Sequence, residues 1–109
     1  MQFIISTLRL AINPADNIER GIFNGFLSRP YHTTFSDEEL SLFRRIAHLS
    51  PMEAFELIVE DFELNKHTAH IAYIQAMHEQ IITFTSSHIA DIQHYLEWWE
   101  ERGHSETLS

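Results

Sequence analysis

Apolar residues recur along this chain at intervals of three and four, and strand-like alternation is scarce, so the pattern predicts helix throughout. The first run, 3–12, is almost wholly apolar and ends at Asn13-Pro14, because proline cannot continue a helix. Asp16, with Glu19 three residues on, has the form of a capping box and opens a second helix. Ile18, Ile22, Phe23, Phe26 and Leu27 give that helix an apolar face, and Ser28-Arg29-Pro30 closes it. Residues 30–35 read as a loop. Ser36 then caps a third helix whose first turn holds Asp37, Glu38 and Glu39, where the helix dipole favours negative charge, and whose core face is Leu40, Phe43, Ile46 and Ala47.

Ser50-Pro51-Met52-Glu53 combines a serine cap, proline at the first helical position and glutamate at the box position. Met52, Phe55, Leu57, Ile58, Val59 and Phe62 make this fourth helix apolar on one side, and Asn65 and Lys66 interrupt it. A fifth helix is expected from Thr68 to Phe84, with Ile71, Ile74, Met77, Ile81 and Phe84 as its stripe. Thr85-Ser86-Ser87 reads as a break with capping chemistry. A sixth helix follows from His88 to Arg102, with Ile89, Ile92, Leu96 and Trp99 inward and Gly103 as its stop. The expected architecture is all-α, a compact bundle of five to six helices with short connections, forming a single domain over 1–109.

Composition narrows the function classes. The chain has 109 residues, of which 44% are hydrophobic, enough to close a core. It has no Cys, which excludes disulfides and thiolate metal sites. No stretch approaches the roughly 18 apolar residues of a membrane span, so a cytoplasmic, non-membrane protein is expected. The net charge is −9, against the basic footprint of a nucleic-acid-binding module.

Catalytic motifs are missing from the sequence. It contains neither a GxxxxGK[ST] phosphate loop nor GxGxxG, HExxH or GxSxG. His67 and His70 sit three apart at a helix start, a spacing that binds a transition metal only if carboxylates from elsewhere complete the site; without a patterned third ligand they read as solvated residues. Glu97, Glu100 and Glu101 read as a solvated face. No catalytic, cofactor-binding or metal-binding residue is therefore expected. Arg29 is placed to meet a phosphate near the 30–35 loop or to pair with a nearby glutamate. Trp98 lies about 100° around its helix from Trp99, which fits the core stripe. It is either a contact to a neighbouring domain or a cover over its own bundle.

The segment Leu8-Arg9-Leu10-Ala11-Ile12-Asn13-Pro14-Ala15-Asp16-Asn17 resembles the Leu-Arg-x-x-x-Asn-Pro-x-Asp-Asp signature of superfamily 1 DNA helicases of the UvrD/RecB/AddA type. There it opens the helical 2B subdomain inserted in the second motor domain. The order of later elements is also similar: a helix, a turn ending at Arg29-Pro30, the acidic start Ser36-Asp37-Glu38-Glu39, and a closing helix near Ile89–Glu101. The chain departs from the UvrD branch at Pro30-Tyr31-His32-Thr33-Thr34, where many members carry a glycine turn that touches duplex DNA, and is closer to the exonuclease-type RecB/AddA branch.

The resemblance implies an excised accessory subdomain of an ATP-dependent helicase or helicase–nuclease acting in DNA recombination and repair. The two tryptophans close to the end of the chain fit an excised piece. ATP and Mg2+ would be bound by the rest of the parent, which would be this segment's main partner, beside a second subunit if the parent is a helicase–nuclease complex. Its candidate DNA contacts are Arg29, His32, Thr33 and Thr34, with weak binding at most for the fragment alone, and Trp98 is the candidate inter-domain contact. The rival expectation is a free-standing acidic helical module, an adaptor or an inhibitor that mimics the charge of DNA.

Overall fold

A computed structural model describes residues 3–87 and 91–101. They form six α-helices: α1 (Phe3–Ile12), α2 (Asn17–Phe26), α3 (Asp37–Ile46), α4 (Pro51–Asp61), α5 (Thr68–Ser87) and α6 (Ile92–Glu101), with a short 3₁₀ turn at Leu64–Lys66. No strand occurs among the described residues, and the fold class is all-α. No described helix is long and apolar enough to cross a membrane. The chain divides into two compact units, one ending at His48 and the other beginning at Leu49.

In the first unit, α1 packs against α2 and α3. It is buried on nearly every side, with Phe3, Ile4, Ile5, Leu8 and Leu10 all inaccessible, as an all-apolar helix requires. Its one buried threonine, Thr7, donates its hydroxyl to the carbonyl of Phe3 at 2.7 Å. The aromatic centre is Phe23, stacked on Phe3 at 5.1 Å and met edge-on by Phe35 and Phe43 at 5.6 and 5.5 Å. Ser36 and Glu39 close the expected capping box at the start of α3.

Two residues assigned to core faces lie outside them. Ile18 is 78% exposed, because Phe23 and Phe26 fix the buried side of α2 and bring Glu19, not Ile18, beneath it. Ala47 is exposed just beyond the end of α3, where the core is closed by Phe43 and Ile46. The helix also carries Gly21 and Gly25, each costing about 1 kcal/mol of helix stability relative to alanine. A Cβ at Gly25 would meet nothing within 4 Å, and one at Gly21 would make only an ordinary 3.7 Å contact with Cβ of Tyr31.

The second unit packs α4 against α5 and α6, and α5 against α6. Ser50 and Glu53 form the expected capping box, with Pro51 at the helix start. Met77, Ile81 and Phe84 of α5 are buried, whereas Ile71, near its beginning, is 39% exposed. The expected break at Thr85-Ser86-Ser87 is absent, since α5 continues to Ser87. The hydroxyl of Thr85 donates back to the carbonyl of Ile81 at 2.9 Å, so it is satisfied within the helix instead of capping a new one. The expected start of the sixth helix at His88, its inward Ile89, and its end at Arg102-Gly103 lie outside the described residues. From Asp91 onward the helix is capped, with Oδ1 of Asp91 accepting from the backbone N–H of His94 at 2.8 Å. That bond is the main reason the Asp91 carboxyl lies below its usual range.

Tyr73 and Tyr95 each bury a hydroxyl that has no hydrogen-bond partner among the described residues. Burial pushes the Tyr73 phenol from 10.0 up to about 12. Burial, and to a smaller degree the nearness of Tyr73, pushes Tyr95 higher still. Below pH 10 both phenols are protonated in the folded and unfolded chain. Between pH 10 and about 12 only the unfolded chain ionises them, so stability must fall as pH rises. A loss on the order of 2 kcal/mol per tyrosine is expected across that window in urea unfolding. Tyr95→Phe should reduce the loss, and an unfolding midpoint constant through the window would contradict it.

Candidate functional site

The most organised surface element is the segment between α2 and α3, which holds the four candidate DNA contacts. It begins with a glycine-type helix stop built on a serine. Ser28 adopts φ 60°, and the amides of Ser28 and Arg29 return to the carbonyls of Gly25 and Asn24 at 3.1 Å each. The segment is then held from beneath by Asn24, which is fully buried. Its amide nitrogen donates to the carbonyls of Tyr31 at 2.9 Å and Thr33 at 3.0 Å, and its oxygen accepts from Nε of Arg29 at 2.7 Å.

Arg29 turns inward. Its Nη2 donates to Oε2 of Glu39 at 2.7 Å, and its guanidinium carbon lies 5.6 Å from the centre of the Phe23 ring. The other oxygen of Glu39 accepts from the amide of Ser36 at 2.9 Å, so one carboxylate ties the loop to the α3 cap. Of the alternatives for Arg29, the structure has the glutamate pairing. Thr33 is half-buried and folds its hydroxyl onto the carbonyl of Pro30 at 2.7 Å. His32 and Thr34 are exposed, and Tyr31 stands 73% exposed with its ring edge-on to His32 at 5.3 Å. Arg29, Asn24 and Glu39 therefore build the loop, while Tyr31, His32 and Thr34 face outward from it. Sequence reasoning passed over Asn24 and Tyr31. An asparagine in mid-helix with a tyrosine seven residues later has no recognisable local pattern.

Trp98 is half-buried and leans on Phe84 at 5.3 Å and Tyr95 at 6.0 Å, while its neighbour Trp99 is 3% exposed. Trp99 thus lies on the buried side of α6 as expected, and Trp98 covers part of its own unit while staying half-buried. Glu97, Glu100 and Glu101 are exposed. His67 and His70 meet edge to face at 5.6 Å, and no group of three or more potential metal ligands occurs among the described residues.

An open groove of about 730 Å³ beside α4 is lined by Phe55, Val59, Glu56, Glu60 and His78 together with the paired Glu63 and Lys66. The spacing of Glu56 and Glu60 by one helical turn foreshadowed its acidic side.

At the corner between α1 and α2, Arg9, Asn13 and Asp16 each make a separate contact in or across the turn. Nη1 of Arg9 donates to Oε1 of the buried Glu19 at 3.1 Å, across the turn. Oδ1 of Asn13 accepts from the amide of Ala15 at 3.3 Å. Oδ1 of Asp16 accepts from the amides of Ile18 and Glu19 at 3.0 and 3.1 Å. Comparison with family models, with curated proteins and with solved structures finds no match to this chain.

Proposed function

We propose that this chain is an accessory helical module of an ATP-dependent DNA helicase or helicase–nuclease acting in recombination and repair. It contributes by positioning and protein contact and carries no reacting group. The observation that carries the reading is the α1–α2 corner. Arg9, Asn13 and Asp16 of the Leu-Arg-x-x-x-Asn-Pro-x-Asp segment each hold a different part of one helix–turn–helix joint, together with Glu19.

ATP and Mg2+ belong to the motor part of such a protein, because this sequence contains no phosphate-cradling loop. DNA contact through this module rests on His32 and Thr34, since Arg29 is committed to Asn24 and Glu39. Trp98, which is half-buried, is the residue for contact with the motor.

The test is made on the full polypeptide that carries this segment. Single-stranded DNA should stimulate its ATP hydrolysis. Deleting residues 3–101 should change duplex unwinding by about tenfold or more while ATP turnover persists. A polypeptide without DNA-dependent ATP turnover overturns the reading. It would favour the acidic interaction module, for which the acidic groove along α4 is the supporting observation.

A further inference from the structure

Charge is divided unevenly along the chain. Residues 3–48 hold five acidic and five basic side chains, whereas residues 49–101 hold ten carboxylates against one lysine. The whole net charge of −9 therefore falls on the second unit. That one lysine, Lys66, is already paired with Glu63 at 3.0 Å. A unit with so little compensation of its own repels anions and attracts cations.

The open groove beside α4 sets part of this charge around an apolar floor. A smaller hollow of about 470 Å³ shares Phe55 and His78 with it and adds Ile74 and Glu79. Phe55 is buried, while Val59 and Ile74 are half-buried and still meet solvent. Glu56, Glu60 and Glu79 are exposed and form no ion pair among the described residues. Glu56 and Glu60 stand one turn apart on α4, a like-charge spacing that weakens a helix.

We propose that this groove docks a basic amphipathic helix of a partner protein, with the helix's apolar face on Val59 and Ile74 and its lysines or arginines on Glu56, Glu60 and Glu79. Charge selects the occupant. A second copy of so acidic a unit is repelled, and a nucleic acid would need basic groups that the groove lacks, so the partner is cationic. The floor makes it amphipathic, because a purely cationic segment would leave Val59 and Ile74 in water. Spacing fits a helix. Carboxylates four residues apart lie about 6 Å apart along α4, the separation of two cationic side chains one turn apart on an approaching helix. The proposal stands apart from the helicase reading, whose test reads the parent's ATP turnover and unwinding rather than binding to this chain.

Isothermal titration calorimetry on the 109-residue chain tests it, with a synthetic helical peptide of leucine and lysine as the probe, leucines on one face and lysines on the other. The peptide should bind with Kd below about 100 µM at about 150 mM salt. A shuffled peptide of the same composition, which has no apolar face, should bind about tenfold more weakly or worse. Glu56→Gln combined with Glu60→Gln should weaken binding of the first peptide by about tenfold or more. Glu97→Gln combined with Glu101→Gln removes the same charge at the same spacing from α6 and should change binding by less than about twofold. All four glutamates are exposed, so neither double variant should lower the melting temperature, and loss of binding cannot be ascribed to unfolding. A wild-type chain that does not bind the peptide at about 500 µM overturns the proposal. So does equal weakening by the two double variants, or equal binding of the shuffled peptide, because either would reduce the attraction to diffuse charge. Heat on diluting the chain alone, abolished by Glu56→Gln with Glu60→Gln, would assign the groove to a second copy and also overturn it.

Discussion

Asn24→Asp is expected to destabilise the first unit by about 3–5 kcal/mol, although the two side chains have nearly the same shape. The wild-type amide donates two hydrogen bonds, to the carbonyls of Tyr31 and Thr33, and accepts one from Arg29, all from a side chain that itself has no solvent access. Aspartate keeps the acceptor for Arg29 but loses both donors and faces two carbonyl oxygens with a charged one. Protonation restores a single donor, so the aspartate would be harder to ionise in the folded state than in the unfolded one. The variant should therefore regain stability as pH falls through the carboxyl range, the reverse of ordinary acid unfolding. Asn24→Ala, which leaves the carbonyls unpaired without adding charge, should cost less and show no such recovery. Urea unfolding at several pH values separates the cases. A wild-type midpoint for Asn24→Asp near neutral pH would mean that Asn24 does not hold the loop.

Trp99→Ala should cost on the order of 3–5 kcal/mol, the range for removing a large aromatic from a closed core, since Trp99 is 3% exposed. Trp98→Ala should cost about 1–2 kcal/mol, because Trp98 is only half-buried and forfeits its contacts with Phe84 and Tyr95. On the proposed function, Trp98→Ala should weaken coupling to the motor more than it lowers stability. Equal thermal destabilisation by the two substitutions would refute the assignment of faces on α6.

The elements that could be read from sequence are those whose cause is local. The caps at Asp16, Ser36 and Ser50 involve a side chain and an amide two or three residues away, and all three stand where the pattern put them, although the box expected at Asp16 stays open because Glu19 pairs with Arg9. Asn13-Pro14 ends α1 for a reason contained in one residue. Hydroxyls were ambiguous because the same group can cap a helix or bond within it. At Thr85 the preceding turn offered a carbonyl, so the helix ran on. Ile18 was misassigned because apolar character gives a face only when neighbours agree on which side is inward, and Phe23 and Phe26 outweigh it. The candidate loop was visible as a loop, but its internal wiring was not. Asn24 bonds to backbone carbonyls, which any residue could supply, and the inward turn of Arg29 depends on Glu39 ten residues away.

The placement of Phe23 also bears on how the first unit is made during synthesis. Phe3, Phe23 and Phe43 are spaced by twenty residues each, and the ring contacts at 5.1 and 5.5 Å join them in that order. Each closes a short loop, and loop-closure entropy rises only slowly with length, so no contact among the three has to wait for distant sequence. A nascent chain that has exposed His48 outside the ribosome already holds every residue of this unit. The unit can therefore be complete while the tryptophans of α6 are still untranslated, and its burial of Phe3, Phe23 and Phe43 shields the growing chain from aggregation.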